Sequence, residues 1–190
     1  MRGDGARRIE RERRFRSMYE AHYPSIYNYS IRRVGVAHEA GDVVADVFAT
    51  AWQRIDEVPD PPEERLWLYG VARKTVSQHR RTTIRRRRLA DRLMIGSVPE
   101  PRASPSQDPD HDRLFEAMGE LRPDDFEALR LVLWECLTHA EVAEVLGCSV
   151  NAVGIRVHRA KARLRDALLA KTSLGVPEIP RHRPIDPTRS

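Results

Sequence analysis

A chain of 190 residues with 41% hydrophobic content can hold one ordinary domain or two small ones, and its net charge of +5 invites an anionic partner. No run approaches the roughly 18 apolar residues of a membrane span, and residues 1–16 are charged and lack an apolar signal region. The two cysteines, Cys136 and Cys148, give no disulfide framework, so the expectation is a cytoplasmic protein.

Charge is segregated along the chain. Residues 35–64 carry net −7 and residues 65–92 net +9; residues 108–144 carry net −8 and residues 145–171 net +5. Each half pairs an acidic segment with a basic one. A uniformly cationic nucleic-acid coat would look different. The simplest reading is two modules, each with one face for a phosphate backbone and another for a protein.

Taken in chain order, apolar residues recur at three and four positions throughout, and no alternating strand pattern persists. Phe15, Met18, Tyr19, His22 and Tyr23 predict a first helix ending near Pro24. Ile26, Tyr27, Ser30, Ile31 and Val34 predict a second, ending near Gly35. A third runs from about His38 to Ile55, with Val44, Phe48, Ala51 and Ile55 on one side. Residues 56–62 hold three prolines and form a loop. A fourth helix spans about 63–81, and the Arg85 to Arg88 run extends or frays its end. Residues 96–110 contain four prolines and almost no large apolar side chain, which is the composition of a linker. A second helical block covers about 111–171, where Pro123 suits a first helical position and Asp124 and Asp125 favour that helix's positive end. The tail after Lys171, rich in Pro and Arg, reads as disordered.

Residues 137–164 carry the sharpest signal. Thr138 followed by Glu141 makes a capping box, Val142, Ala143 and Leu146 supply a buried side, and Gly147 closes the short helix. Ser149 caps the next. Two helices joined by a tight glycine-containing turn form a helix-turn-helix, whose second helix enters the major groove. At 3.6 residues per turn, Val150, Val153, Val157, Ala160 and Leu164 share a core face. Opposite lie Asn151, Ile155, His158, Arg159 and Ala162, flanked by Arg156, Arg163 and Lys161. Asn can read adenine, Arg guanine, and an exposed Ile a thymine methyl, while flanking Arg and Lys hold phosphates.

With these motifs in view, residues 15–171 resemble the extracytoplasmic-function (ECF) group of bacterial sigma factors. The text that carries the resemblance is FRSMYEAHYPSIYNYSIRRVG, EAGDVVADVFATAWQRID and ERLWLYGVARKTVSQHRR, followed by LRPDDFEALRLVLWECLTHAEVAEVLGCSVNAVGIRVHRAKARL. The resemblance implies an all-α protein of two small helical domains: a sigma domain 2-like bundle (10–92) and a sigma domain 4-like helix-turn-helix (111–171). A flexible linker (93–110) would join them, and a disordered tail (172–190) would follow. It implies a factor that binds core RNA polymerase, recognises −10 and −35 promoter elements and directs initiation at a specific regulon under an anti-sigma factor.

By the same resemblance, Asp42, Val43, Ala45, Asp46, Val47, Phe48 and Trp52 grip the clamp helices of the polymerase's largest subunit, with the flap as a further contact. The 56–65 loop and the helix after it hold the melted −10 strand, through Arg65, Trp67, Arg73, Lys74, Ser77, His79, Arg80 and Arg81. The recognition helix reads −35 duplex through Ser149, Asn151, Gly154, Ile155, Arg156, His158, Arg159, Lys161 and Arg163. Gly154 and Ile155 stand where the family often has a basic and a small polar residue, and Lys74 and Ala45 also depart from common choices, so the promoter sequence does not carry over. A linker of about 15–18 residues reaches about 50–65 Å, enough for two elements less than two helical turns apart.

Other chemistry finds little support. There is no glycine-rich phosphate loop, nucleophile motif or cleft-forming carboxylate pair, so neither an enzyme nor a cofactor is expected. Cys136, His139, Cys148 and His158 are too scattered for a tetrahedral zinc shell, and both cysteines read as buried small hydrophobes. Trp52, Trp67 and Trp134 read first as core. A conventional repressor or activator would carry the same helix-turn-helix without the N-terminal block, and a pure interaction protein would leave the basic groove face unexplained.

Overall fold

The helical spacing of the apolar residues is realised in a computed structural model that describes residues 2–92, 114 and 116–173. The expected linker and the tail beyond residue 173 lie outside the described residues. Within them are six named helices and no strand: α1 (Arg2–Val34), α2 (Ala37–Gln53), α3 (Glu64–Arg92), α4 (Pro123–Leu133), α5 (His139–Leu146) and α6 (Val150–Ser173), with a further helical turn at 116–119.

The expected break at Pro24 does not occur; α1 runs through it. An interior proline costs about 3 kcal/mol through its missing amide and the crowded carbonyl one turn back. Met18, Ile26 and Tyr29, fully buried on either side of it, offset that cost at about 1.5–3 kcal/mol each. Ahead of Phe15 the helix continues on charged residues, held by Arg8–Glu12 and Glu10–Arg13 pairs at four- and three-residue spacing. Gly35, at φ +79°, turns the chain into α2. The α3 helix likewise runs beyond Arg81 to Arg92.

Helices α1, α2 and α3 pack on one another around Met18, Tyr29, Val43, Val47, Ile55, Leu68 and Tyr69. A part-buried His22–Glu64 contact of 2.7 Å ties the start of α3 to α1. In the C-terminal half, α4 and α5 both pack on α6 around Leu129, Leu131, Val142, Val153 and Val157.

The two halves are docked together. Helix α3 lies against α5, and the buried apolar residues of both halves form one contiguous cluster. Over this contact sits a network of charged groups. Arg33, whose side chain is 1% exposed, donates to Glu127 at 2.9 Å and to Glu135 at 3.1 Å. Arg32 reaches Glu135 at 2.7 Å, Arg130 reaches Glu127 at 2.7 Å, and the Tyr29 hydroxyl donates to Glu127 at 3.0 Å. Burial opposes ionisation of Glu127, but the Arg33 and Arg130 guanidiniums prevail and hold its carboxyl down to about 2. Burial pushes the Tyr29 phenol well above its ordinary value. Part of the acidic charge of residues 108–144 therefore answers the chain's own arginines rather than another protein.

Candidate nucleic-acid interface

The helix-turn-helix is built as its local sequence dictates. The Thr138 hydroxyl accepts from the Glu141 amide while the Glu141 carboxylate accepts from the Thr138 amide, which closes a capping box worth about 1 kcal/mol. The Thr138 amide and hydroxyl hold the Glu141 carboxyl below its usual range. Gly147 ends α5 at φ +66°, and its amide and that of Cys148 return to carbonyls of the last turn. The Ser149 hydroxyl accepts from the Ala152 amide, so this residue acts as the cap of α6.

Helix α6 presents the expected polarity, with departures at Val150, Arg156 and Ala162. Val153, Val157 and Ala160 are buried and Leu164 is half-buried, but Val150 is 51% exposed. Its angular position is right; it lies in the first turn, beyond the reach of the helices that cover the rest of that face. Asn151, His158, Arg159, Lys161 and Arg163 are exposed, and Ile155 is 42% exposed among them. Arg156 departs from the set: its guanidinium turns back to Cys148 Sγ at 3.7 Å and lies 3.7 Å from Asp124 of α4. Gly154 and Ala162 are half-buried.

The basic face of α3 is more occupied. Arg73, Lys74, Ser77, Arg80 and Arg81 line a cleft of about 670 Å³ closed on its other side by Arg33, Asp124, Glu127 and Arg130. Arg80 donates to the Arg33 carbonyl at 2.8 Å and Arg65 to the Glu135 carbonyl at 2.7 Å. His79 does not join this face; it lies 3.4 Å from Glu39 of α2. Trp67 is half-buried with the Arg54 guanidinium over its ring at 5.7 Å.

On α2, Val43 and Val47 are fully buried in the core and offer nothing to a partner, which corrects their assignment to a gripping surface. The exposed Asp42, Ala45 and Asp46 remain, and Phe48 and Trp52 edge an apolar groove. The groove's other wall is Phe15 and Tyr19 of α1, rings that meet Phe48 at 6.3 and 4.7 Å; Phe15 meets Trp52 at 5.3 Å. These α1 aromatics were not expected at the site. Their signal lies in the sequence as an aromatic every fourth position, Phe15, Tyr19, Tyr23 and Tyr27, wider than a core needs. Trp52 and Trp134, at 39% and 36% exposure, are surface rather than core residues.

Cys136 also departs from expectation. It is exposed, at φ +54°, in the turn between α4 and α5, where the Leu137 amide reaches back to the Leu131 carbonyl. The left-handed backbone turns its side chain outward. Cys148 is half-buried. Among the described residues no group of His, Cys, Asp or Glu is arranged to hold a metal, and no helix is long and apolar enough to cross a membrane.

The Sigma-70 region 2 family profile matches residues 18–88, and the Sigma-70, region 4 profile matches residues 111–164. The ECF RNA polymerase sigma factor SigC of Mycobacterium tuberculosis is 34% identical over 138 residues, 69% of each chain. SigL of the same species is 28% identical over 169 residues, 85% of this chain and 90% of that one. Among solved structures, CnrH in complex with the cytosolic domain of CnrY superposes at a TM-score of 0.59 with 26% identity, over 84% of this chain and 90% of that chain. RpoE in complex with the anti-sigma factor NepR from Bartonella quintana shares the fold, at a TM-score of 0.62 and 24% identity over 82% and 96%. With two profiles matched in order on the two halves just described, and relatives matched across both, the chain belongs to the ECF RNA polymerase sigma factors, which direct transcription initiation and are not enzymes.

Proposed function

We propose that this sigma factor reads its promoter with two surfaces and grips core polymerase with a third. The observation that carries the reading is the outward face of α6, where Asn151, Ile155, His158 and Arg159 stand exposed opposite a buried core stripe. That face reads the −35 duplex, with Lys161 and Arg163 on phosphates. The 56–62 loop and the α3 face bearing Arg73, Lys74, Ser77 and Arg81 hold the melted −10 strand, the loop taking an unstacked base. The groove between α1 and α2, flanked by Asp42 and Asp46, receives the clamp helices of the polymerase's largest subunit. The region 2 unit ends near residue 92 and the region 4 unit begins near residue 111, and the work is done in the cytoplasm.

RpoE, which shares this fold, has been solved with the anti-sigma factor NepR, and CnrH with the cytosolic domain of CnrY; control by an anti-sigma partner belongs to the proposal here as well. Core polymerase free of other sigma factors, transcribing a genomic fragment library with and without this protein, tests the whole reading. New start sites sharing two spaced motifs support it and yield the promoter code. Folded protein and active core with no new transcripts would turn the reading toward a conventional DNA-binding regulator.

A further inference from the structure

The loop between α2 and α3 has little means of holding itself in place. Three of its ten residues are proline and supply no amide hydrogen, and its own ties are the Glu57 and Val58 amides to the Arg54 carbonyl, the Arg54–Glu57 ion pair, the Glu63 amide to the Asp60 carbonyl and the Arg65 amide to the Pro62 carbonyl. Three of its carbonyls are held from outside, by a residue ahead of the region 2 match. Arg14 of α1, partly buried, donates to the carbonyls of Ile55 at 3.2 Å, Pro59 at 3.1 Å and Val58, and lies 3.1 Å from the Asp60 carboxylate. One turn earlier, Arg11 lies 3.4 Å from Asp56, with its guanidinium 5.7 Å from the Trp52 ring centroid. The planar fork of an arginine can bridge several carbonyls at once; a lysine's point charge cannot.

We infer that Arg14 is a positioning residue for promoter reading: it sets the posture of the 55–60 backbone and thereby the fit of the base held by the loop. The inference rests on the reading of that loop as a base pocket. Ile55 and Val58 are buried anchors, whereas Glu57, Asp60, Pro61, Pro62 and Glu63 are exposed, so the carbonyl clamp fixes the inner edge of the loop and leaves its outer edge to the DNA. The segment that carries Arg14 is helical, and the hydrogen bonds and ion pair of the Arg14 guanidinium all go to residues 55–60, so its effect on DNA is expected to act through the loop.

The experiment uses the full chain bound to core polymerase, on fork-junction DNAs that carry the mapped −10 element with one unpaired base varied at a time. For Arg14→Met, preference among bases at one position of the unpaired strand falls about tenfold, while affinity for core and for −35 duplex holds. Arg14→Lys, which keeps the charge and is the fallback if Arg14→Met does not fold, lies between. A companion variant with Glu57, Asp60 and Glu63 changed to Ala tests the loop itself. If the companion flattens base preference and neither Arg14 variant does, the positioning role is overturned while the loop reading stands. If the companion leaves preference intact, the loop reading fails and the inference with it. Equal loss on every base together with weaker core binding shows Arg14 to be a general structural tie and also overturns the inference.

Discussion

The two helices proposed to face DNA stand in opposite states. On α6 the side chains proposed to read bases point into solvent with few internal partners; on α3 the comparable face looks across a cleft at α4, and Arg65 and Arg80 donate to backbone carbonyls of the chain itself. One surface is ready in the free protein. The other is partly spent. Net charge does not distinguish them, because both helices are basic; what differs is whether a docked neighbour has already claimed the charge.

The strongest test of this contrast removes the acids that hold the halves together. With Glu127→Ala and Glu135→Ala, Arg33 has no carboxylate in a site where it is almost wholly buried, and leaving such a charge unpaired costs about 3–5 kcal/mol. The docked arrangement opens, the radius of gyration in small-angle scattering rises, and single-stranded −10 DNA binds more readily to the free protein. Binding of −35 duplex stays as it was. An unchanged scattering profile would show that the apolar contact between α3 and α5 suffices without the ion network.

Acid provides the same test without mutation. The Glu127 carboxyl titrates near 2 in the docked state against an ordinary value of 4.5. Its contribution to docking is therefore complete above about 4.5 and is lost as the pH falls from there toward 2. Scattering across that window should show opening that Glu127→Gln no longer follows.

On the open side, Arg159→Ala should weaken −35 duplex binding by about 1–3 kcal/mol and relax preference at one base pair, with no change in Tm. Fluorescence anisotropy on a set of singly substituted duplexes reads both effects. The smallest effect is expected from Thr138→Ala, which removes half of the capping box and lowers stability by about 1 kcal/mol, with a modest fall in −35 affinity because α5 supports α6. Thermal unfolding measures the first and the same anisotropy assay the second.

What could be read from the sequence follows the range of the interactions. The capping box at Thr138 and Glu141, the left-handed Gly147 and the buried phase of α6 are settled within four residues of one another, and each stands as expected. The loop at 56–62 is equally local. The proline at 24 was misleading because its cost is local but its compensation, in Met18, Ile26 and Tyr29, is tertiary. Val150 followed the helical wheel and still fell outside the cover of its neighbours. Val43 and Val47 share a helix with surface acids, and only packing against α1 and α3 reveals that they face inward. The Arg33 network joins residues about a hundred positions apart, and no spacing rule reaches that far.

The uninterrupted α1 has a mechanical consequence. Its 33 residues form a rod of about 50 Å. Along that rod lie the arginines beneath the loop, the aromatic wall of the groove, and finally Arg32 and Arg33. Had the chain broken at Pro24, a pivot would separate the groove from the arginines at the far end. Without one, a load applied to the aromatic flank is transmitted along a stiff beam to both ends, so the grip on a partner, the set of the loop and the closure of the two halves share a single rigid frame.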